Sequence, residues 1–346
     1  MPTALTAGPP AWSQWVDMRK TTVCLLAAAV LMMGFGLWRG EGAAVLSKGI
    51  NCAWSVWALA KNRHRWKIQL GATLAANPFL LNFFQGKISR GRLKGICVPG
   101  LNCYSCPAAA ASCPIGAVQA VIGSSKYHFA YYVVGFLLFI WVLLGRVVCG
   151  FLCPFGWFQE LLHKIPTKKF STKRFHILTH LKYGILLLFV IILPMTVVNE
   201  VGMGDPFFYK YLCPAGILEG GIPLSLADSS IRASLGWLFT WKSCILLGIA
   251  VLSVFFYRPF CKWLCPLGAF YGLYNKVSVY RLEVNESKCT SCGACSRVCK
   301  MDVEVFHIPN HAECIRCGDC VATCPQQAIT KTFALKRQTK KKETVT

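Results

Sequence analysis

The sequence predicts an α-helical integral membrane protein of about five or six spans that ends in a small α+β domain rich in cysteine. Three observations carry this. Of 346 residues, 55% are hydrophobic and only 15% are charged. The apolar residues gather in runs close to the ~20 residues that a bilayer needs. After Tyr280 the chain turns polar and cysteine-dense.

Five runs are predicted to span: Thr22–Trp38, Ile68–Phe84, Tyr127–Val148, Tyr183–Val198 and Trp237–Tyr257. A weaker run, Ala43–Ala60, contains Lys48 and Asn51 and reads as a sixth span, a re-entrant piece or an interfacial helix. Arg19 and Lys20 before the first run also suit a signal peptide. No clear small-residue cleavage site follows, so an anchor helix is expected.

The loop after Cys153 carries Lys164, Lys168, Lys169, Lys173 and Arg174, a cytoplasmic signal under the positive-inside rule. The third run therefore ends inside, the fourth leaves and the fifth returns. Everything from Arg258 onward is then cytoplasmic, and Ile96–Ser125 and Asn199–Leu235 are left outside. Lys87, Arg90, Arg92 and Lys94 run against this assignment. The expected divisions are an N-terminal membrane part (1–95), a membrane core (96–281), a soluble domain (282–331) on the cytoplasmic face of the cell membrane, and a basic, disordered tail (332–346).

A formal charge of +23 invites a nucleic-acid reading. It is discounted, because the basic residues flank apolar runs and the sum counts every cysteine as neutral. The 20 cysteines have two ordinary explanations, disulfides and metal. Disulfide scaffolds are usually small secreted domains; this chain is large and membrane-like, and its cysteines sit in close clusters. Metal is the better reading.

In the soluble domain CTSCGACSRVCK, from Cys289, and CIRCGDCVATCP, from Cys314, both read Cys-x2-Cys-x2-Cys-x3-Cys. Zinc sites usually take two Cys-x2-Cys pairs set well apart, so iron-sulfur clusters fit better. The pattern resembles the bacterial two-cluster ferredoxins, in which the fourth cysteine of each run crosses to the other cluster. The resemblance implies that Cys289, Cys292, Cys295 and Cys324 hold one [4Fe-4S] cluster, and Cys314, Cys317, Cys320 and Cys299 a second. Cys299 is followed by Lys300 where the family has Pro, which puts the local turn in question.

The membrane part has its own repeat. Arg146 and Arg258 each begin Arg-x2-Cys-x3-Cys-Pro-x-Gly at the end of an apolar run. Cys149, Cys153, Cys261 and Cys265 then share one face and suit one further cluster. The arginines are placed to offset cluster charge, or they only mark the interface. On the other face Cys113 and Cys213 open two more Cys-Pro-x-Gly motifs, near Cys97, Cys103 and Cys106. The outer set is read as Cys103, Cys106, Cys113 and Cys213, with Cys97 as the alternative ligand and a disulfide as the competing explanation. About four clusters are expected. Cys24, Cys52 and Cys244 stand alone and are given no role. His128, His163, His176 and His180 lack the paired spacing that a haem site would need.

From Cys97 onward the chain is similar to the membrane polyferredoxins of the NapH and NosR type. That resemblance implies quinol-linked or transmembrane electron transfer, although the Cys97–Cys113 region lies outside their pattern. The leading expectation is an electron-transfer protein of the lipid bilayer. It would connect a cytoplasmic donor or acceptor with an outer-face redox protein or quinone, without nucleic acid. A quinol dehydrogenase subunit and an iron-sulfur sensor or scaffold are the other readings.

Overall fold

The structure, a computed structural model, describes residues 65–333 except 90, 92–93, 95, 125–129 and 201, together with residues 24, 27–28 and 30–31. The predicted runs Thr22–Trp38 (those five residues apart) and Ala43–Ala60, Cys52, His128 and the tail beyond 333 lie outside the described residues.

Helix α1, Arg65–Ala76, opens the described core. The predicted run Ile68–Phe84 is therefore not one helix. It stops where Asn77 bonds back to the Thr73 carbonyl and Pro78 disfavours a further helical turn before it. Helices α2 (Pro114–Gly123), α3 (Tyr131–Leu144), α4 (Val147–Phe151) and α5 (Pro154–His163) follow. Between α3 and α4 the chain turns at Gly145, with φ 55°.

Two helices among the described residues are long and apolar enough to cross a membrane: α6, Lys173–Thr196, and α7, Trp237–Phe255. They match the predicted fourth and fifth runs. Helix α6 widens into a π-helical stretch over Leu186–Ile192, just before Pro194. The buried Gln119 of α2 donates to the Phe189 carbonyl at 3.1 Å, so this irregular stretch keeps a polar partner inside the bundle. Two short helices, α8 (Pro259–Trp263) and α9 (Pro266–Tyr274), repeat the geometry of α4 and α5. The core between them is aromatic. Trp141 stacks on Phe270 at 4.6 Å, and Phe155 meets Phe260 edge-on at 5.1 Å.

The C-terminal domain is α+β. Strand β1 (Tyr280–Val284) pairs antiparallel with β2 (Ile329–Phe333), in register from Tyr280↔Phe333 to Val284↔Ile329. Between them lie α10 (Ala294–Arg297) and α11 (Asp319–Thr323). Its two halves share a backbone. Ser291 and Arg316 sit at φ 53° and 52°, Gly293 and Gly318 at 72° and 93°, and Asp302 and Gln327 at 58° and 47°. The last pair stands three residues after each fourth cysteine. The left-handed turn is therefore made after Cys299-Lys300 just as after Cys324-Pro325.

This domain is held to the helical part by buried charge. Arg146, fully buried, donates to Glu313 Oε2 at 2.8 Å and to the Ala312 carbonyl at 2.6 Å, and Lys182 pairs with the other Glu313 oxygen. Burial alone would raise the Glu313 carboxyl, but the two cations outweigh it and hold the pKa down at about 2. Arg316 reaches back to the Leu144 and Asn275 carbonyls at 3.1 and 2.6 Å, and Lys262 pairs with Asp302 at 2.9 Å.

Removing one member of a buried ion group strands the others, at a cost of about 3–5 kcal/mol. Glu313→Ala should therefore loosen the C-terminal domain and expose the 275–281 linker to limited proteolysis. Thr330→Ala, on β2 and away from the interface, should not change the cleavage pattern.

Candidate iron-sulfur centres

The C-terminal domain gathers its cysteines into two groups. Cys289, Cys292, Cys295 and Cys324 line one cavity of about 390 Å³. Cys314, Cys317, Cys320 and Cys299 line another of about 310 Å³. Each fourth cysteine thus stands with the three of the opposite run. Burial pushes the Cys314 thiol up and the Cys317 thiol up to about 11, so these groups stay protonated at neutral pH unless a bound cation stabilises the thiolate. Among the described residues no three His, Cys, Asp or Glu side chains converge on a single metal ion. A zinc site would need that convergence, with sulfurs about 2.3 Å from one point. Cavities ringed by four cysteines fit a larger cluster body.

In the membrane part the four Cys-Pro-x-Gly motifs have one structural meaning. Cys113, Cys153, Cys213 and Cys265 are each the N-cap of a helix whose first residue is the proline. Proline suits that position because its missing N–H has no intrahelical partner to lose. In the inner pair the sulfur takes the role of the capping acceptor: Gly156 N–H donates to Cys153 Sγ and Gly268 N–H to Cys265 Sγ, each at 3.4 Å, whereas Cys113 and Cys213 stand at the N-cap without such a bond. A thiolate there also meets the positive end of the helix.

The inner set is built by exchange between the two repeats. Arg258 donates through Nη1 to the Cys149 carbonyl at 2.5 Å, and Arg146 through Nη2 to the Cys261 carbonyl at 3.2 Å. Each arginine lies across the glycine of the other motif. A Cβ on Gly156 would stand 3.2 Å from Arg258 Nη1, and one on Gly268 3.3 Å from Arg146 Nη2. Both arginines are fully buried, so they are part of the site rather than interface markers. Among the described residues Arg258 Nη2 and Arg146 Nε have no hydrogen-bond partner. Cys149, Cys153, Cys261 and Cys265 are all within electrostatic range of one another. Four buried cysteines beside two buried cations with spare N–H groups suit an anionic cluster. Gln159, buried on α5, donates to Cys261 Sγ at 3.2 Å. Nothing in the sequence singled it out.

The segment expected as an outer loop folds back into the protein. Leu101, Asn102, Cys103, Cys106, Ala108 and Ala109 are all at most 2% exposed. Cys103, Cys113 and Cys213 interact electrostatically, with Cys106 beside Cys103 and Cys97 beside Cys113. No disulfide joins any of the five. Glu219 accepts from the Cys103 N–H at 2.6 Å, and Tyr209 places its hydroxyl 3.7 Å from Cys103 Sγ. Lys94, weighed in the sequence as a topology signal, is buried here and donates to the Tyr104 carbonyl at 2.5 Å. Cys24 and Cys244 are exposed and isolated from these sets.

Contacts link neighbouring sets. Gly150, next to Cys149, rests against the Ile315 carbonyl, next to Cys314. At its start α1 touches the inner set, where Gln69 donates to the Gly150 carbonyl at 3.0 Å. Just past its end, Asn77 Oδ1 lies 3.7 Å from Cys106 Sγ. From Gln69 to Asn77 the chain advances ~12 Å at the helical rise of ~1.5 Å per residue, which sets the spacing of the inner and outer sets.

Fold and cysteine geometry together define a multi-cluster ferredoxin-type protein. Comparison with known proteins agrees. A 4Fe-4S binding domain is matched at 127–173 and again at 238–285, once for each membrane repeat, and another 4Fe-4S binding domain at 282–303 and 307–330. An uncharacterised protein of Methanocaldococcus jannaschii is 28% identical over 57% of this chain and 76% of its own length. The methylamine utilization ferredoxin-type protein MauN of Paracoccus denitrificans is 28% identical over 47% of this chain and 50% of its own. The ferredoxin-type protein NapH of Haemophilus influenzae is 28% identical over 51% of this chain and 55% of its own. The matches to MauN and NapH thus span about half of those proteins. No solved structure matches the chain. The chain carries 4Fe-4S binding domains like those of the ferredoxin-type polyferredoxins and binds [4Fe-4S] clusters.

The fifth cysteine of the outer set can be assigned by iron analysis. With Cys106 as the fourth ligand, Cys106→Ser should lower iron by about four atoms per chain, the content of one cubane, and Cys97→Ser should leave it unchanged. The reverse result would assign Cys97.

Proposed function

We propose that the chain is a transmembrane electron conduit. What supports this is the order of its cysteine sets: Cys289 group, Cys314 group, inner set, outer set. The first of these contains the exposed Cys292, and the last is buried among the helices. In this reading four [4Fe-4S] clusters are held, by Cys289, Cys292, Cys295 and Cys324; by Cys314, Cys317, Cys320 and Cys299; by Cys149, Cys153, Cys261 and Cys265; and by Cys103, Cys106, Cys113 and Cys213. When bound, such clusters supply reversible one-electron transfer. The chain's own work is to space the sites, bury them and balance their charge. Residues 282–331 form the soluble domain, and 96–281 the membrane core.

The C-terminal domain faces the cytoplasm. The basic loop after α5 touches both the end of α7 and this domain: Lys169 donates to the Val254 carbonyl at 2.7 Å, and Ser171 to Asp302 at 2.9 Å. Five or six spans then cross the bilayer, with α6 and α7 the two longest described. The donor or acceptor on the cytoplasmic side docks at the Cys289 group. A redox protein or a quinone takes the electron, or gives it, on the far side of the outer set.

Loaded protein in sealed liposomes, reduced from one face, should reduce a dye trapped on the other, and anaerobic iron should approach about sixteen atoms per chain for four cubanes. A quinol dehydrogenase working from one face would show no dye reduction without added quinone, and a sensor none at all. Cys153→Ser and Cys265→Ser remove ligands of the same proposed cluster. The double variant should lose no more than either single one, because the two residues act as a unit. Loss of two different signals would break the inner set as drawn.

A further inference from the structure

The conduit reading leaves open how an electron passes from the inner to the outer set. We propose that residues 99–101, Pro-Gly-Leu, are a strap that couples the two sets electronically, with Gly100 and Tyr271 as its positioning residues. The inference rests on the conduit reading and goes beyond it.

At the inner end the strap touches the site directly. Leu101, next to Gly100, has its backbone beside the Cys153 thiol. Gly100 lies so close to the first repeat that a Cβ there would stand 2.8 Å from both Cys153 Cα and the Leu152 carbonyl oxygen. These are backbone atoms that no rotamer change can move, so a larger residue must push the strap away. The second repeat holds the strap as well: the Tyr271 hydroxyl on α9 donates to the Pro99 carbonyl at 2.8 Å.

At the outer end the strap is continuous with the other set. Val98 N–H donates to the Ser112 carbonyl at 3.0 Å and Ser112 N–H to the Ile96 carbonyl at 2.8 Å, which fixes Cys97 beside Cys113. Two residues after Leu101 comes Cys103, whose own N–H is fixed by Glu219 at 2.6 Å. The route from the Cys153 backbone to Cys103 Sγ thus crosses one close contact, at Gly100, and then covalent chain, through residues 101–102 that are at most 1% exposed. Electronic coupling decays exponentially with distance, and less steeply through bonds than across gaps. One electron passes along this route, one centre losing what the other gains, and no bond forms or breaks.

The test uses the full chain, loaded anaerobically, as wild type, Gly100→Val and Tyr271→Phe. Both variants should keep wild-type iron content and all cluster resonances. The exchange interaction between the inner and outer signals in electron paramagnetic resonance should weaken while the through-space dipolar interaction stays, and the fast phase of dye reduction across the liposome should be lost. A purely structural strap would change the dipolar interaction through the spacing and leave the exchange interaction without a loss of its own. Unchanged exchange interaction and unchanged fast phase in both variants overturn the proposal while the conduit stands. If Gly100→Val sheds a cluster, Tyr271→Phe, which removes only a hydroxyl, decides by the same two readouts. If wild type itself passes no electron between faces, the conduit reading fails instead.

Discussion

A thiolate buried among apolar side chains needs positive potential beside it, and the membrane half is arranged around that requirement. Its cheapest local source is a helix N-terminus, where backbone N–H groups have no carbonyl of their own helix to meet. The four Cys-Pro-x-Gly motifs are four such termini. Proline starts the helix, cysteine caps it, and glycine two residues further leaves room for whatever crosses the cap. The motif is therefore a device for placing a sulfur at the positive end of a short helix inside a hydrophobic body.

The inner set adds full charges to these partial ones. Because Arg146 and Arg258 each serve the opposite repeat, neither repeat is complete alone, and the site exists only when both are docked. Arg146 then does a second job by holding Glu313 beside Cys314. The residue that balances one cysteine set also fixes the distance to the next. Glu313 in turn is shared with Lys182 at the start of α6. A single buried network thus joins both repeats, a long helix and the C-terminal domain, so the spacing of the sets follows from the same contacts that make burial of charge tolerable.

Much of this was legible in the sequence. The paired cysteine runs after Cys289 and Cys314 stand out because their spacing is local, while the crossing of the fourth cysteine came only from the resemblance to two-cluster ferredoxins. The two longest apolar helices were legible for the same reason. What was not legible depends on tertiary contact. The helical run from Ile68 reads as one span until Asn77 and Pro78 are seen to end it beside Cys106. The stretch after Ile96 falls on the outer side when the later spans are counted back, against its basic flank, and its small residues, Ala108 and Ala109 among them, let it pack into the protein. Lys94 gave a topology signal of the wrong kind, since its charge is used within the protein. Gln159 carries no signature at all, because an amide on an apolar helix reads as an ordinary buried polar group until its sulfur partner is in view.

The outer set meets the same requirement by different means. It has no crossing arginine. Lys242, on α7, lies within electrostatic range of both Cys103 and Cys213 and donates to the Tyr209 carbonyl at 3.2 Å. Lys94 approaches Cys103 and Cys106 from the other side. Against these two cations stands Glu219, buried and bonded to the Cys103 backbone. The inner set likewise has two cations, Arg146 and Arg258, with Glu160 against Arg258 and Glu313 against Arg146. Positive surroundings favour the more negative, reduced form of a bound cluster. By formal charge alone neither set is favoured as the electron sink; what distinguishes them is where the cations bond, to the carbonyls of Cys149 and Cys261 themselves at the inner set and to those of Tyr104 and Tyr209 at the outer.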